Sequence, residues 1–262
     1  MKYLSYNTLA GFGDPDRKEL LLDFVESINP DVAFFSEAYK THTNLSVVQS
    51  STRVLEELGY DVILGQDSVV NKRTDQTNFI GIVRRKLGRG SIMQMGHYQG
   101  YIANVTEPDS GELLRVGGIH LDDRNEELRL QQLSHLPSLD VLMGDLNAMH
   151  GQDLIAKSLR FLHPFTQRLK EFDTDPSKTN KVQQIMSLGQ RIVRMADGRV
   201  LDELLRLGLQ DSDPTHQPTI DNGIIYVQID HILHTDSLRP SEYTVHRNIN
   251  LSDHKPISVN LV

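Results

Sequence analysis

The chain contains no cysteine and no tryptophan. Without cysteine it can form no disulfide and offer no thiolate to a metal, and the redox compartment stays open, because a cysteine-free chain is stable in either. No apolar run approaches the roughly 18 residues of a membrane-spanning helix. Met1-Lys2 leads directly into Tyr3-Leu4-Ser5-Tyr6, with no signal-peptide pattern. The expectation is a cytoplasmic protein with no membrane span and no evident obligate protein partner. Positive charge is also in short supply. There are 27 Lys and Arg against 35 Asp and Glu, a formal net charge of −8, with a pI near 5.7. That argues against a protein that coats polyanions nonspecifically, while leaving room for a local basic cleft. Internal repeats and low-complexity segments are absent.

What is present suits one domain, spanning 1–262: 262 residues, 38% of them hydrophobic, are enough to bury a substantial core. Asp14-Pro15 is a good helix start, followed by Leu21, Phe24, Val25 and Ile28 at helical spacing until Asn29-Pro30 stops the run. Val32 to Phe35 is a continuous apolar run of the kind buried on both faces, and it delivers Glu37 at its end. A helix at about 45–58 precedes strands at 60–64, 78–84 and 101–106. The last turns through Asp109-Ser110-Gly111 into a strand at 113–120, which reads as a hairpin. A helix at about 124–135 leads to the short buried strand Leu139 to Met143, and strands at about 224–233, 242–247 and 256–261 close the chain.

Six short polar motifs fall where strands should end. They are Ser5-Tyr6-Asn7-Thr8, Phe35-Ser36-Glu37, Gly118-Ile119-His120-Leu121, Gly144-Asp145-Leu146-Asn147, Ile229-Asp230-His231 and Ser252-Asp253-His254. Each alone is weak; Asp-x-Asn after a glycine is common in turns. Together, and in this order, they resemble the endonuclease/exonuclease/phosphatase superfamily, and the resemblance runs over essentially the whole chain. It implies an α/β fold, a four-layer sandwich of two packed mixed β-sheets flanked by helices. It also implies a hydrolase of phosphate esters that depends on Mg²⁺ or Mn²⁺.

The chemistry fits those residue types. A phosphodiester repels nucleophiles and has a poor alkoxide leaving group, so hydrolysis needs a cation, an oriented water and help for the leaving group. A hard divalent cation takes oxygen ligands and keeps several waters, so one or two carboxylates suffice. By resemblance Glu37 and Asp253 hold the metal with support from Asn7. Asp145 orients or deprotonates the attacking water, and Asn147 donates to a nonbridging oxygen. If Asp145 to Asn147 stays extended, both side chains project on one face. Asp230 and His254 match a pair in which the carboxylate favours the protonated imidazole. His120 matches a histidine of the deoxyribonuclease-like and sphingomyelinase-like branches, where apurinic endonucleases tend to have tyrosine, and Thr219 matches a threonine that shapes the substrate pocket. The serine before Glu37 departs from the glutamine more usual in the family and can reshape the surroundings of the metal.

The remaining histidines read as ordinary. His231 and His234, three apart on a strand, point to opposite faces and are not a zinc pair; His150 and His216 are nearer the expected site in sequence. A helical, basic insertion at about 152–208 is the least expected stretch. Between 156 and 199 nine Lys and Arg stand against four Asp and Glu, which makes it a candidate phosphate-facing element, with Arg191 and Arg194 as substrate-binding residues. The expected substrate is a phosphate ester, with DNA or RNA first and the reading a nuclease. A phosphatase or phosphodiesterase of a small metabolite or lipid head group is the alternative, mildly favoured by the acidic total charge. A catalytically silent binding protein would be expected to lack at least one of these residues.

Overall fold

The first helix begins as its residues require. Asp14 adopts an extended backbone, its side chain accepts from the amide of Asp16, and Pro15 occupies the first helical position, where its missing N–H costs nothing. Asn29, in the left-handed region, ends it. The computed structural model describes residues 1–43, 45–66, 77–123, 125–150, 198–221 and 226–262. In chain order the described elements are β1 (Lys2–Asn7), α1 (Pro15–Ile28), β2 (Val32–Lys40), α2 (Leu45–Glu57), β3 (Tyr60–Gln66), β4 (Thr77–Arg84), β5 (Gly88–Met95), β6 (Tyr98–Thr106) and β7 (Leu113–His120). They continue with α3 (Glu126–Leu133), β8 (Val141–Asp145), α4 (Arg199–Arg206), β9 (Leu209–Asp211), β10 (Ile220–Asp221), β11 (Tyr226–Val227), β12 (Asp230–Thr235), β13 (Pro240–Val245) and β14 (Ile257–Leu261).

Two six-stranded mixed sheets result, ordered β13-β14-β1-β2-β4-β3 and β5-β6-β7-β8-β12-β9, with β10 and β11 forming a small ribbon. The parallel pairs are β1 with β2 and β7 with β8. Alternation along each central strand sorts side chains into layers. Tyr3, Val32, Phe34, Val116, Val141, Met143, Ile232 and Ile257 share the core between the sheets. Leu4, Ala33 and Phe35 turn the other way and pack with Leu21, Phe24 and Val25 of α1 and Leu55 of α2. Ile119 and Leu142 face outward on the second sheet and pack with Leu133 of α3 and Val200, Leu201 and Leu204 of α4. Helix, sheet, sheet, helix is the expected four-layer α/β sandwich. Each fully buried large apolar side chain contributes about 1.5–3 kcal/mol, and central strands such as β2 place them on both faces. Arg129 is fully buried, donates to Glu126 and to the carbonyl of Asp122, and Glu126 accepts the amide of Val200, which ties α3 to the start of α4.

Two differences from the sequence reading stand out. Strand β5 was not anticipated: it lies at a sheet edge, contains two glycines, and buries only Met93 and Met95, so no alternation is visible. The strand expected over 224–233 is divided, because β11 ends at Val227 and β12 begins at Asp230, in a different sheet. The basic insertion lies outside the described residues except for 198–208, which carry α4; Arg191 and Arg194 are likewise outside. No helix among the described residues is long and apolar enough to cross a membrane.

Candidate active site

Strand direction gathers the motifs. Strands β1 and β2 run parallel, as do β7 and β8, so Asn7, His120 and Asp145 are released at the far ends of their strands, while Glu37 lies inside β2, just past its pairing with β1 and in the register break between Phe35 and Tyr39. Strand β12 is antiparallel to β8, so Asp230 at its start lies directly opposite Asp145, which in turn lies beside His120. Strand β14 is antiparallel to β1, so His254, three residues before it, reaches the same end. Six side chains from well-separated parts of the chain thus meet at one edge of the two sheets.

The centre is Asp145, buried at 2% exposure. Its Oδ1 accepts the backbone amide of Asn147 at 3.0 Å, an Asx turn. Its Oδ2 accepts from Asn7 Nδ2 at 3.0 Å and lies 3.6 Å from His120 Nε2 and 3.8 Å from His254 Nε2. Asn7 Nδ2 also donates to Glu37 Oε1 at 3.2 Å, and His120 Nε2 is 4.0 Å from the same oxygen. Gly144 makes the turn achievable: its φ is +146°, and a Cβ there would run into the carbonyl oxygen of Ile119. Glu37 itself has φ 45°, within the irregular register between Phe35 and Tyr39. A left-handed non-glycine residue costs on the order of 1 kcal/mol, and such strain concentrates at sites.

Asp230 Oδ2 is 2.8 Å from His254 Nδ1. Burial pushes the imidazole toward neutrality, but the charges of Asp230 and Asp145 outweigh it and raise the His254 pKa to about 10, so the ring is a cation at neutral pH. Thr219 is fully buried, and its hydroxyl accepts the amides of Ile229 and Asp230, so it positions Asp230 from behind. Asp145, Asp230 and His254 offer ligand atoms that all lie within 4.8 Å of one another. Asp230 Oδ1 is buried with no hydrogen-bond partner among the described residues. The two carboxylates, one with an unsatisfied oxygen, are hard donors that fit a divalent cation; the protonated His254 ring has no lone pair to add to them.

The remaining assignments are placed as follows. Asn147 is not extended past the strand end. Its φ is 48° and its Nδ2 donates to Leu121 O at 2.9 Å, so the two-residue spacing to Asp145 works through a turn rather than a shared strand face. Asp253 is exposed, its Oδ1 accepting from Ser252 Oγ at 3.2 Å. Two features escaped the sequence reading. Arg17 donates to the carbonyls of Leu251 and Leu9, each at 2.8 Å, joining the loop after β1 to the one before His254; an arginine in a first helical turn carries no such signal. The other is a cluster behind the sheet, in which Asp211 meets His150 and His231; these are brought together only by pairing of β9 with β12.

No protein-family model matches the sequence, and no curated protein matches it. Solved structures do. An endonuclease/exonuclease/phosphatase from Beutenbergia cavernae DSM 12333 superposes with a TM-score of 0.65 at 16% identity, over 100% of this chain and 71% of the other. An AP endonuclease from Archaeoglobus fulgidus gives 0.63 at 14% identity, over 99% and 98% of the two chains. A mannosyl-6-phosphatase from Bacteroides thetaiotaomicron VPI-5482 gives 0.54 at 15%, over 100% and 99%. With its two six-stranded sheets, flanking helices and strand-end polar residues, the chain has the fold of the endonuclease/exonuclease/phosphatase proteins.

Proposed function

We propose that the chain is a divalent-metal-dependent phosphoesterase that cleaves phosphodiesters, with a nucleic acid as its first-choice substrate. The observation that carries this reading is the convergence of Asn7, Glu37, His120, Asp145, Asp230 and His254 at one sheet edge. Glu37, with Asn7 beside it and with Asp253 as the second carboxylate, would hold Mg²⁺ or Mn²⁺, which when bound neutralises phosphate oxygens. The rest is the work of the chain's own groups. Asp145 Oδ2, held by Asn7, orients a water and takes its proton. His254, kept cationic by Asp230, faces the charge that develops on the phosphoryl oxygens. His120 Nε2, on the same side of Asp145, assists the departing oxygen. Asn147 uses Nδ2 to hold the turn through Leu121 O and still has a second amide hydrogen for a nonbridging oxygen. No covalent intermediate is needed, since water is the nucleophile.

Likeness to an AP endonuclease supports a nucleic acid. The second reading, a phosphorylated small molecule, is favoured by the net charge of −8 and by likeness to a mannosyl-6-phosphatase. The discriminating experiment is cleavage of supercoiled plasmid and of a labelled single strand with Mg²⁺, Mn²⁺ or chelator, wild type beside Asp145→Asn. Metal-dependent cleavage that disappears in the variant is expected. No cleavage by a folded protein moves the assignment to small phosphate esters, to be screened by phosphate release.

A further inference from the structure

Adjacent residues of β12 serve opposite sides of the sheet, and the side away from Asp230 holds a second, nitrogen-rich cluster. Asp211, at the end of β9, receives two imidazoles on one carboxylate oxygen, His231 Nδ1 at 2.7 Å and His150 Nε2 at 2.9 Å. The other nitrogen of His231, Nε2, is 2.9 Å from the carbonyl oxygen of Ala148. A carbonyl only accepts, so Nε2 carries a proton, and in a neutral ring Nδ1 then turns its lone pair toward a carboxylate. Two electron-rich atoms 2.7 Å apart require a positive charge; a proton fits that separation directly, and a metal ion bonded at about 2 Å to each would part them to roughly 3.3 Å. The donor atoms of His150, Asp211 and His231 all lie within 4.8 Å of one another. The His216 ring packs 3.9 Å from that of His150, and its Nδ1 is buried without a hydrogen-bond partner among the described residues.

We propose that His150, His231 and Asp211 form a second metal site, of the class that takes Zn²⁺. Two imidazoles and a carboxylate are a zinc donor set, and they discriminate against the hard Mg²⁺ that suits the oxygen-rich edge. A metal-bound imidazole whose far nitrogen donates to a backbone carbonyl is the arrangement that fixes ring and tautomer. The site joins the chain just beyond Asn147 to β9 and β12, so its role is to brace the turn that carries Asp145 and Asn147. It is a binding site for a structural ion and does not depend on the phosphoesterase assignment.

The test is Zn²⁺ titration of the full chain, stripped with chelator, against a chromophoric competitor, with Co²⁺ loading of wild type as a second readout. Expected are one Zn²⁺ per wild-type chain, the same stoichiometry in Asp145→Asn, affinity reduced at least about tenfold in His150→Ala, and visible Co²⁺ bands of a four-coordinate nitrogen and oxygen site. Added Zn²⁺ should also raise the melting temperature of wild type and not that of His150→Ala. The absence of tight Zn²⁺ binding in wild type overturns the proposal and leaves a proton between His231 and Asp211. Loss of the zinc in Asp145→Asn, or equal binding in a folded His150→Ala, overturns it as well. Should His150→Ala not fold, wild-type stoichiometry, its retention in Asp145→Asn and the Co²⁺ bands decide the matter.

Discussion

Asp230 and His231 are neighbours in sequence, yet they belong to two clusters with different physics. Asp230 meets Asp145 and His254 at the sheet edge, where Asp230 Oδ1 has no hydrogen-bond partner among the described residues. His231 meets Asp211 and His150 behind the sheet, where Asp211 accepts from both rings and from the amide of Asp213. The first cluster has more acceptors than donors and is suited to hold something that comes and goes. In the second the carboxylate is closely surrounded, which suits a permanent ion or a buried ion pair. The same two residue types thus gather in separate clusters on the two faces, because a strand sends successive side chains to opposite sides.

Substitutions can break this contrast. Asp211→Asn should have the largest effect on stability. Removing the charged partner of a buried pair costs about 3–5 kcal/mol, readable in denaturant unfolding, while turnover per folded molecule should change far less than in Asp145→Asn. A stability change comparable to that of an ordinary surface substitution would remove the bracing role. Asp145→Asn should do the reverse, lowering turnover by at least about 10²-fold, the low end for a positioned acid or base, with the melting temperature preserved. Turnover near wild type would take Asp145 out of the reaction. Glu37→Ala should raise the Mg²⁺ concentration giving half-maximal rate, and an unchanged metal titration would leave Glu37 without its role as ligand.

The pH dependence sharpens the same comparison. A histidine whose pKa rises from 6.5 to about 10 on folding stabilises fully below pH 6.5 and loses that contribution as pH climbs through about 10. Unfolding free energy of the metal-free protein should therefore fall between neutral and alkaline pH. The Asp211 charge raises the His231 pKa, against its burial, so His231 adds to this slope, and Asp230→Asn should remove mainly the part due to His254, since Asp230 acts on His231 less strongly than Asp211 does. Asp211, held below its ordinary value despite burial by the charge of His231 and bonds from His150 and His231, contributes above that ordinary value and loses its contribution on acidification. Smallest is Arg17→Lys, which keeps the charge and loses the fork that reaches Leu9 and Leu251. About 1 kcal/mol of stability is expected, the net value of a hydrogen bond, and no loss at all would make those contacts incidental.

Much of the edge cluster was legible before any coordinates. Continuous apolar runs marked the central strands, and Asn7, Glu37, His120, Asp145, Asp230 and His254 were named from the resemblance of the motifs that hold them; antiparallel pairing, which brings Asp230 and His254 to the same end, was not legible. Helix α1 was legible for local reasons, since Asp14 and Pro15 act on their own backbone. The edge strand β5 was not, because Gly88 and Gly90 carry no side chain and the exposed Ile92 beside Met93 blurs the apolar alternation of its sequence. The Gly144 to Asn147 turn was half legible: its residue types announce both a turn and a site, and the structure uses Asp145 for both, one oxygen for each.

The sequence alone determined where the main strands and helices lie, because periodicity and capping are local properties, and the resemblance of its six motifs named the residues suited to phosphate-ester chemistry. Only the tertiary structure decided that His150, Asp211 and His231 share one point and that Arg17 joins two distant loops. The first depends on antiparallel pairing of β12 with β8 and β9, which sets His234 opposite Val141 and Leu233 opposite Asp211, and the second on the packing of α1 against the loop that holds Leu251. Such pairing is set by the burial of whole faces, and no short stretch of sequence contains it.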